Sequence, residues 1–126
     1  MDSHPFAVTF REDNPNAKLR TGVYEQALAF SEQVDTIIET VLARFHLKDL
    51  LDKSATVVAL RIAQAASETS KPERRRQYRV ARRAATDCAA VLDILARRKG
   101  VDPGAIAPAR QQVMVLVSEL AHLSSR

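Results

Sequence analysis

The chain has 126 residues, 46% hydrophobic and 27% charged, with three glycines and one cysteine. This composition suits one compact soluble domain and excludes disorder, collagen-like repeats and a disulfide scaffold. The formal charge of +4 is unevenly spread: residues 71–99 hold ten lysines and arginines against three acids, whereas residues 21–52 hold two against six.

Residues 1–20 have no helical period, contain Pro5 and Pro15, and carry the polar run Arg11-Glu12-Asp13-Asn14; an irregular N-terminal arm is expected. Within it Phe6, Val8 and Phe10 alternate with small residues in the manner of a short edge strand. Met1-Asp2-Ser3-His4-Pro5 lacks the basic start and apolar centre of a signal peptide. No apolar run reaches the roughly 18 residues needed to span a bilayer, so a cytoplasmic protein with no membrane partner is expected.

From residue 21 to 126 the pattern is that of a helical domain. Val23, Ala27, Phe30, Val34, Ile37, Val41 and Phe45 recur at spacings of three and four, one apolar stripe of an amphipathic helix with Thr21 as its N-cap. A break is expected at Phe45-His46-Leu47. A second helix then enters at Lys48 or Asp49, carries Leu50, Leu51, Ser54, Val57, Val58, Ile62, Ala65 and Ala66, and ends between Ser67 and Ser70. Ser70 with Glu73 forms an S-x-x-E capping box around Lys71-Pro72 and predicts a third helix from Pro72 to about Lys99, stopped by Gly100. A fourth begins between Pro103 and Pro108 and carries Ile106, Val113, Leu116, Val117, Leu120 and Leu123. Four helices joined by short links predict an all-α, antiparallel up-and-down four-helix bundle.

The third helix is the informative one. At about 100° per residue, Ala81, Ala84, Ala85, Cys88, Val91, Leu92 and Leu95 gather on one side, while Arg75, Arg76, Arg79, Arg82 and Arg83 gather opposite them. Arg97 lies on the same outward line further along, and Ala89 and Ala90 flank the apolar stripe. Like charges at these spacings oppose the helix by tenths of a kcal/mol per pair. Guanidinium forks suit phosphate, so the stripe reads as a surface for RNA or DNA, with Arg61 on the second helix as an addition. Its only near aromatic, Tyr78, turns toward the core, so backbone contact with little sequence specificity is expected. The other reading pairs the stripe with the acids of the first helix (Glu25, Glu32, Asp35, Glu39), in the same chain or a neighbouring one, or with an acidic partner protein.

No catalytic, metal or cofactor site can be written from the residues. Cys88 falls on the apolar face, where a small buried hydrophobe is expected. His4, His46 and His122 have no ligand partner at helical spacing. Glu32 and Asp35, at i and i+3, read as a solvated or interface face. Glycines at 22, 100 and 104 cannot form a phosphate-cradling loop. A non-enzyme is expected.

Three segments carry a family resemblance: Val23-Tyr24-Glu25-Gln26-Ala27, Val58-Ala59-Leu60-Arg61-Ile62-Ala63-Gln64-Ala65 and Arg76-Gln77-Tyr78-Arg79-Val80-Ala81-Arg82-Arg83-Ala84. In order and spacing they are similar to the V-W/Y-x-x-A, I-P-x-N-I-A-E-G and F-x-R/I-A-x-G/R-S/A runs of the bacterial four-helix-bundle family of ribosomal-RNA intervening-sequence proteins. That family includes the accessory variability determinant of diversity-generating retroelements. Here Ala59, Arg61, Gln64 and Ala65 replace the family's proline, asparagine, glutamate and glycine. The resemblance implies a ring-like homo-oligomer, a homopentamer, and for the retroelement member a basic surface that binds nucleic acid and a reverse transcriptase. The expected function is therefore a non-catalytic, oligomeric nucleic-acid-binding accessory protein; the alternative is a protein-interaction scaffold.

Overall fold

The computed structural model describes residues 17–125, with side chains from Gly22 onward. Four helices follow one another: α1 (Ala17–Thr40), α2 (Phe45–Ser67), α3 (Lys71–Ala96) and α4 (Pro103–Ser124). Links of four, three and six residues join them, too short for anything but antiparallel neighbours. α2 packs on α1 and α3, and α4 packs on α3 and α1, while the backbones of α1 and α3 are not neighbours. The section is thus a four-membered ring in which α1 and α3 lie on opposite corners. Residues 1–16, including the alternation of Phe6, Val8 and Phe10, lie outside the described residues.

Each helix is held by its expected stripe, with corrections at the ends. α1 already begins at Ala17, so residues 17–20 belong to the helix rather than the arm, and Thr21 sits inside it and is not the N-cap. Val23, Ala27, Phe30, Val34, Ile37 and Val41 are all buried. Phe45 is not the last member of that stripe: it opens α2 and is 80% exposed. The break lies four residues earlier, at residues 41–44, where Arg44 takes an extended conformation. Restarting there resets the helical phase, so that Leu47 and Leu51 are buried and Leu50 is exposed, while Val57 is half-buried. A contact across the corner holds the break: Lys48 Nζ donates to the Ile38 carbonyl at 2.9 Å, covering an orphan acceptor at the C-terminal end of α1.

At the start of α3 the Ser70 hydroxyl accepts from the Glu73 amide at 3.4 Å, and Pro72 sits in the first turn. The reciprocal half of the capping box comes from a different acid. Glu68 Oε1 accepts from the Ser70 amide at 3.3 Å, which leaves the Glu73 carboxylate for other partners. α3 closes at Ala96, and Gly100, at φ 86°, makes the turn toward α4 in a conformation that glycine alone adopts without strain. Asp102 caps α4 by accepting from the Gly104 amide at 3.0 Å, and Asp93 of α3 receives a forked pair of bonds from Arg110 of α4 at 2.8 and 3.2 Å. Four buried alanines on α3, Ala81, Ala84, Ala85 and Ala89, leave room for α2 and α4 to approach closely, whereas Ala90 is exposed.

Phe30 is fully buried and Leu42 is 86% exposed. Phe30→Ala should therefore cost about 3–5 kcal/mol of unfolding free energy, and Leu42→Ala should stay within about 0.5 kcal/mol of the parent. Urea unfolding followed by circular dichroism measures both.

Candidate nucleic-acid interface

The buried face of α3 dictates what its outer face presents. Ala81, Ala85, Cys88, Leu92 and Leu95 are each fully buried, and with a 3.6-residue period the positions between them point away from the bundle. Arg76, Arg79, Arg82 and Arg83 are exposed there, and Arg75 is half-buried. Tyr78, 2% exposed, turns inward. Because α1 sits on the opposite corner, its exposed acids Glu25, Glu32, Asp35 and Glu39 do not neutralise the stripe within one chain. Intrachain pairing of the two faces is therefore overturned by the topology, and only a neighbouring molecule brings them together.

The six arginines expected to bind differ in what they touch. The guanidinium groups of Arg79, Arg82 and Arg83 have no hydrogen-bond or ion-pair partner among the described residues, whereas Arg75 is engaged. Arg76 grips Glu73, with Nη2 at 2.7 Å and Nε at 3.0 Å from its carboxylate oxygens. Arg61, half-buried on α2, crosses the seam to α3: its Nη1 donates to Gln77 Oε1 at 3.0 Å and to Gln64 Oε1 at 3.3 Å. Gln77 Nε2 in turn donates to Glu73 Oε2 at 2.8 Å. A chain of bonds, Arg61 to Gln77 to Glu73 to Arg76, thus ties Arg61 to the stripe. Arg97 lies fourteen residues beyond Arg83, about 21 Å at 1.5 Å per residue, and belongs to the far end of the bundle.

Gln64, Gln77 and Glu73 are the members that the arginine pattern alone misses. Gln77 carried a signal, because it lies four residues before Ala81 and seven before Ala84, on the core face. A polar group at a core position needs partners, and Gln77, 8% exposed, has them. Arg74, facing away from the stripe, donates to the Glu68 carbonyl at 3.0 Å and secures the α2–α3 turn. Two shallow grooves run along the α2–α3 seam. One of about 480 Å³ is lined by Leu60, Arg61, Gln64 and Gln77 among others, and one of about 240 Å³ has Lys53 and Arg83 at its rim.

Hydrogen bonds from Arg76 and then Gln77 hold the Glu73 carboxyl below the ordinary glutamate range. The bond from Arg110 does the same for Asp93. Burial pushes the Cys88 thiol up to about 12, so it stays protonated and unreactive at neutral pH. Among the described residues no group of three or more His, Cys, Asp or Glu side chains could hold a metal ion, and no helix is long and apolar enough to cross a membrane.

The chain matches no protein-family model and no curated protein. Its fold is similar to the crystal structure of a protein with unknown function from the S23 ribosomal protein family of Bacteroides thetaiotaomicron, with a TM-score of 0.78 and 14% identity. The match covers 85% of this chain and 98% of that one. At this identity the likeness establishes a shared four-helix fold.

A carboxyl held below its ordinary value stabilises the fold above its unfolded pKa, and that contribution disappears as pH falls through the folded value. Melting temperature should therefore drop as pH falls below about 4.5, the ordinary value for Glu73. Glu73→Gln should give a lower melting temperature at pH 7 and a shallower acid limb, measured by thermal melts from neutral pH downward. Both changes should be small, because the ion pair is at the surface.

Proposed function

We propose that this chain is a non-catalytic accessory protein that binds RNA or DNA through the outer face of α3, using Arg75, Arg76, Arg79, Arg82 and Arg83 with Arg61 at the edge. The observation that carries the reading is the set Arg79, Arg82 and Arg83, three exposed guanidinium groups within little more than one helical turn and without a partner among the described residues. Their mutual repulsion opposes the helix, and a polyanion relieves it while accepting paired hydrogen bonds from each fork. Contacts of this kind read phosphates and carry little sequence information.

The same reading takes the chain as a cytoplasmic member of the intervening-sequence family that assembles as a homopentamer, with a retroelement reverse transcriptase as partner protein. Support for self-association comes from the outward side of α4, where Ala107, Gln111, Met114, Val115 and Ser118 form an exposed strip beside Arg110, whose charge is paired with Asp93. A ring would repeat the arginine stripe on every subunit, and linked weak contacts gain avidity.

Fluorescence anisotropy with labelled single-stranded RNA and duplex DNA tests the reading. Affinity should fall steeply between about 50 and 200 mM salt. If Arg79, Arg82 and Arg83 each meet one phosphate of a duplex, a single protomer should give a log–log salt slope of about −2 to −3. Arg79→Glu with Arg82→Glu should abolish binding and leave helicity unchanged. Absence of binding at the lower salt would contradict the reading. A smaller particle in sedimentation for the same variant would instead favour the scaffold role, with the stripe docked on an acidic partner or on α1 of the adjacent subunit.

A further inference from the structure

α4 carries two stripes on opposite sides. Ile106, Ala109, Val113, Leu116, Leu120 and Leu123 are buried in the core. On the far side Gly104, Ala107, Gln111, Met114, Ser118 and Ala121 repeat the same alternation of three and four residues, the spacing of a seam between paired helices. All but Ala121 are exposed, and Val115, 48% exposed, adjoins Met114, 39% exposed. The guanidinium and the carboxylate of α4, on Arg110 and Glu119, stand off this line, about 90° and 130° round the helix from its centre. Arg110 is already paired with Asp93 at 2.8 Å. The other three helices turn charge outward: Glu25 and Glu32 on α1, Asp52 and Lys53 on α2, Arg79 and Arg82 on α3.

Covering any of the charged faces strips water from ions, whereas covering the α4 seam does not. Its lowest-cost match is another uncharged helix face, and this chain supplies one of the right length and register. Laid antiparallel about a two-fold axis level with Gln112 and Val113, the seam meets itself. Gly104 falls opposite Ala121 and Ala107 opposite Ser118, small against small, which lets two helix axes approach to about 8 Å. Gln111 falls opposite Met114, and the two Gln111 amides meet at the axis, where each offers a donor and an acceptor to the other. A shallow trough of about 630 Å³ beside Gln111, Met114 and Val115 receives the second copy's Met114. Resting on the self-association reading above, we infer that the outer seam of α4 is a two-fold interface that binds the same seam of a second copy of this chain. A two-fold contact closes on two copies. It therefore makes every assembly even-numbered, either two protomers alone or two rings joined through α4.

Symmetry supplies the test, because only a two-fold contact brings a residue near the axis against its own copy. Gln111→Cys in the full chain should give a disulfide-linked dimer on non-reducing gels after mild oxidation. Cys88 is buried and should stay silent, as the parent lane checks, and Glu25→Cys, exposed on α1, should remain unlinked. Met114→Glu sets two carboxylates beside the axis. It should halve the particle mass in sedimentation and leave helicity unchanged, since Met114 lies outside the core. An odd-numbered parent assembly, or Gln111→Cys that stays unlinked, would overturn the two-fold interface while the ring reading stands. A parent that sediments as a monomer at every concentration would remove self-association, and both readings with it.

Discussion

Burial of one face of α3 is the constraint on which the rest of the molecule depends. Tyr78, Ala81, Ala85, Cys88, Leu92 and Leu95 are each no more than 2% exposed, wedged between α2 and α4. A leucine or similar side chain taken fully out of water contributes about 1.5–3 kcal/mol, whereas repulsion between neighbouring guanidinium groups costs tenths. Packing therefore wins by an order of magnitude and fixes the rotation of the helix. The arginines are carried outward as a consequence, and the short links place them on the corner opposite the acidic helix.

The few polar groups near the core follow from the same constraint. Gln77 stands at a core position of α3, where an unpaired amide would cost about 1–3 kcal/mol. It is satisfied from both sides, by Arg61 across the seam and by Glu73 on its own helix. That pairing draws Glu73 away from the Ser70 amide, and Glu68 takes over there. One buried glutamine thus orients Arg61, occupies Glu73 and shapes the groove beside the stripe.

Much of the bundle was legible in the residues because its signals are periodic or chemically distinctive. The stripe of α1, the Ser70 cap, the Pro72 start and the Gly100 turn each act through local geometry that a sequence displays directly. The break between α1 and α2 was not legible. Residues 41–44 contain neither glycine nor proline, and the apolar spacing runs on to Phe45. What stops the helix there is tertiary, with Leu47 reaching the core and Lys48 covering the Ile38 carbonyl. For the interface, the helical period placed the five arginines of the stripe on the outer side of α3. It could not show that Arg76 is paired, that Arg61 points into a seam, or that α1 sits diagonally, because each depends on which helices become neighbours.

The central claim is that the guanidinium groups of Arg79, Arg82 and Arg83 are not neutralised within the protein, and its stability as a function of salt tests this most directly. Screening weakens repulsion between exposed charges, so melting temperature should rise as salt is added at low ionic strength. Arg79→Gln with Arg82→Gln should raise it at low salt and flatten the salt dependence. A melting temperature that falls with added salt, together with a destabilised double variant, would mean that these arginines are already paired and would contradict the account.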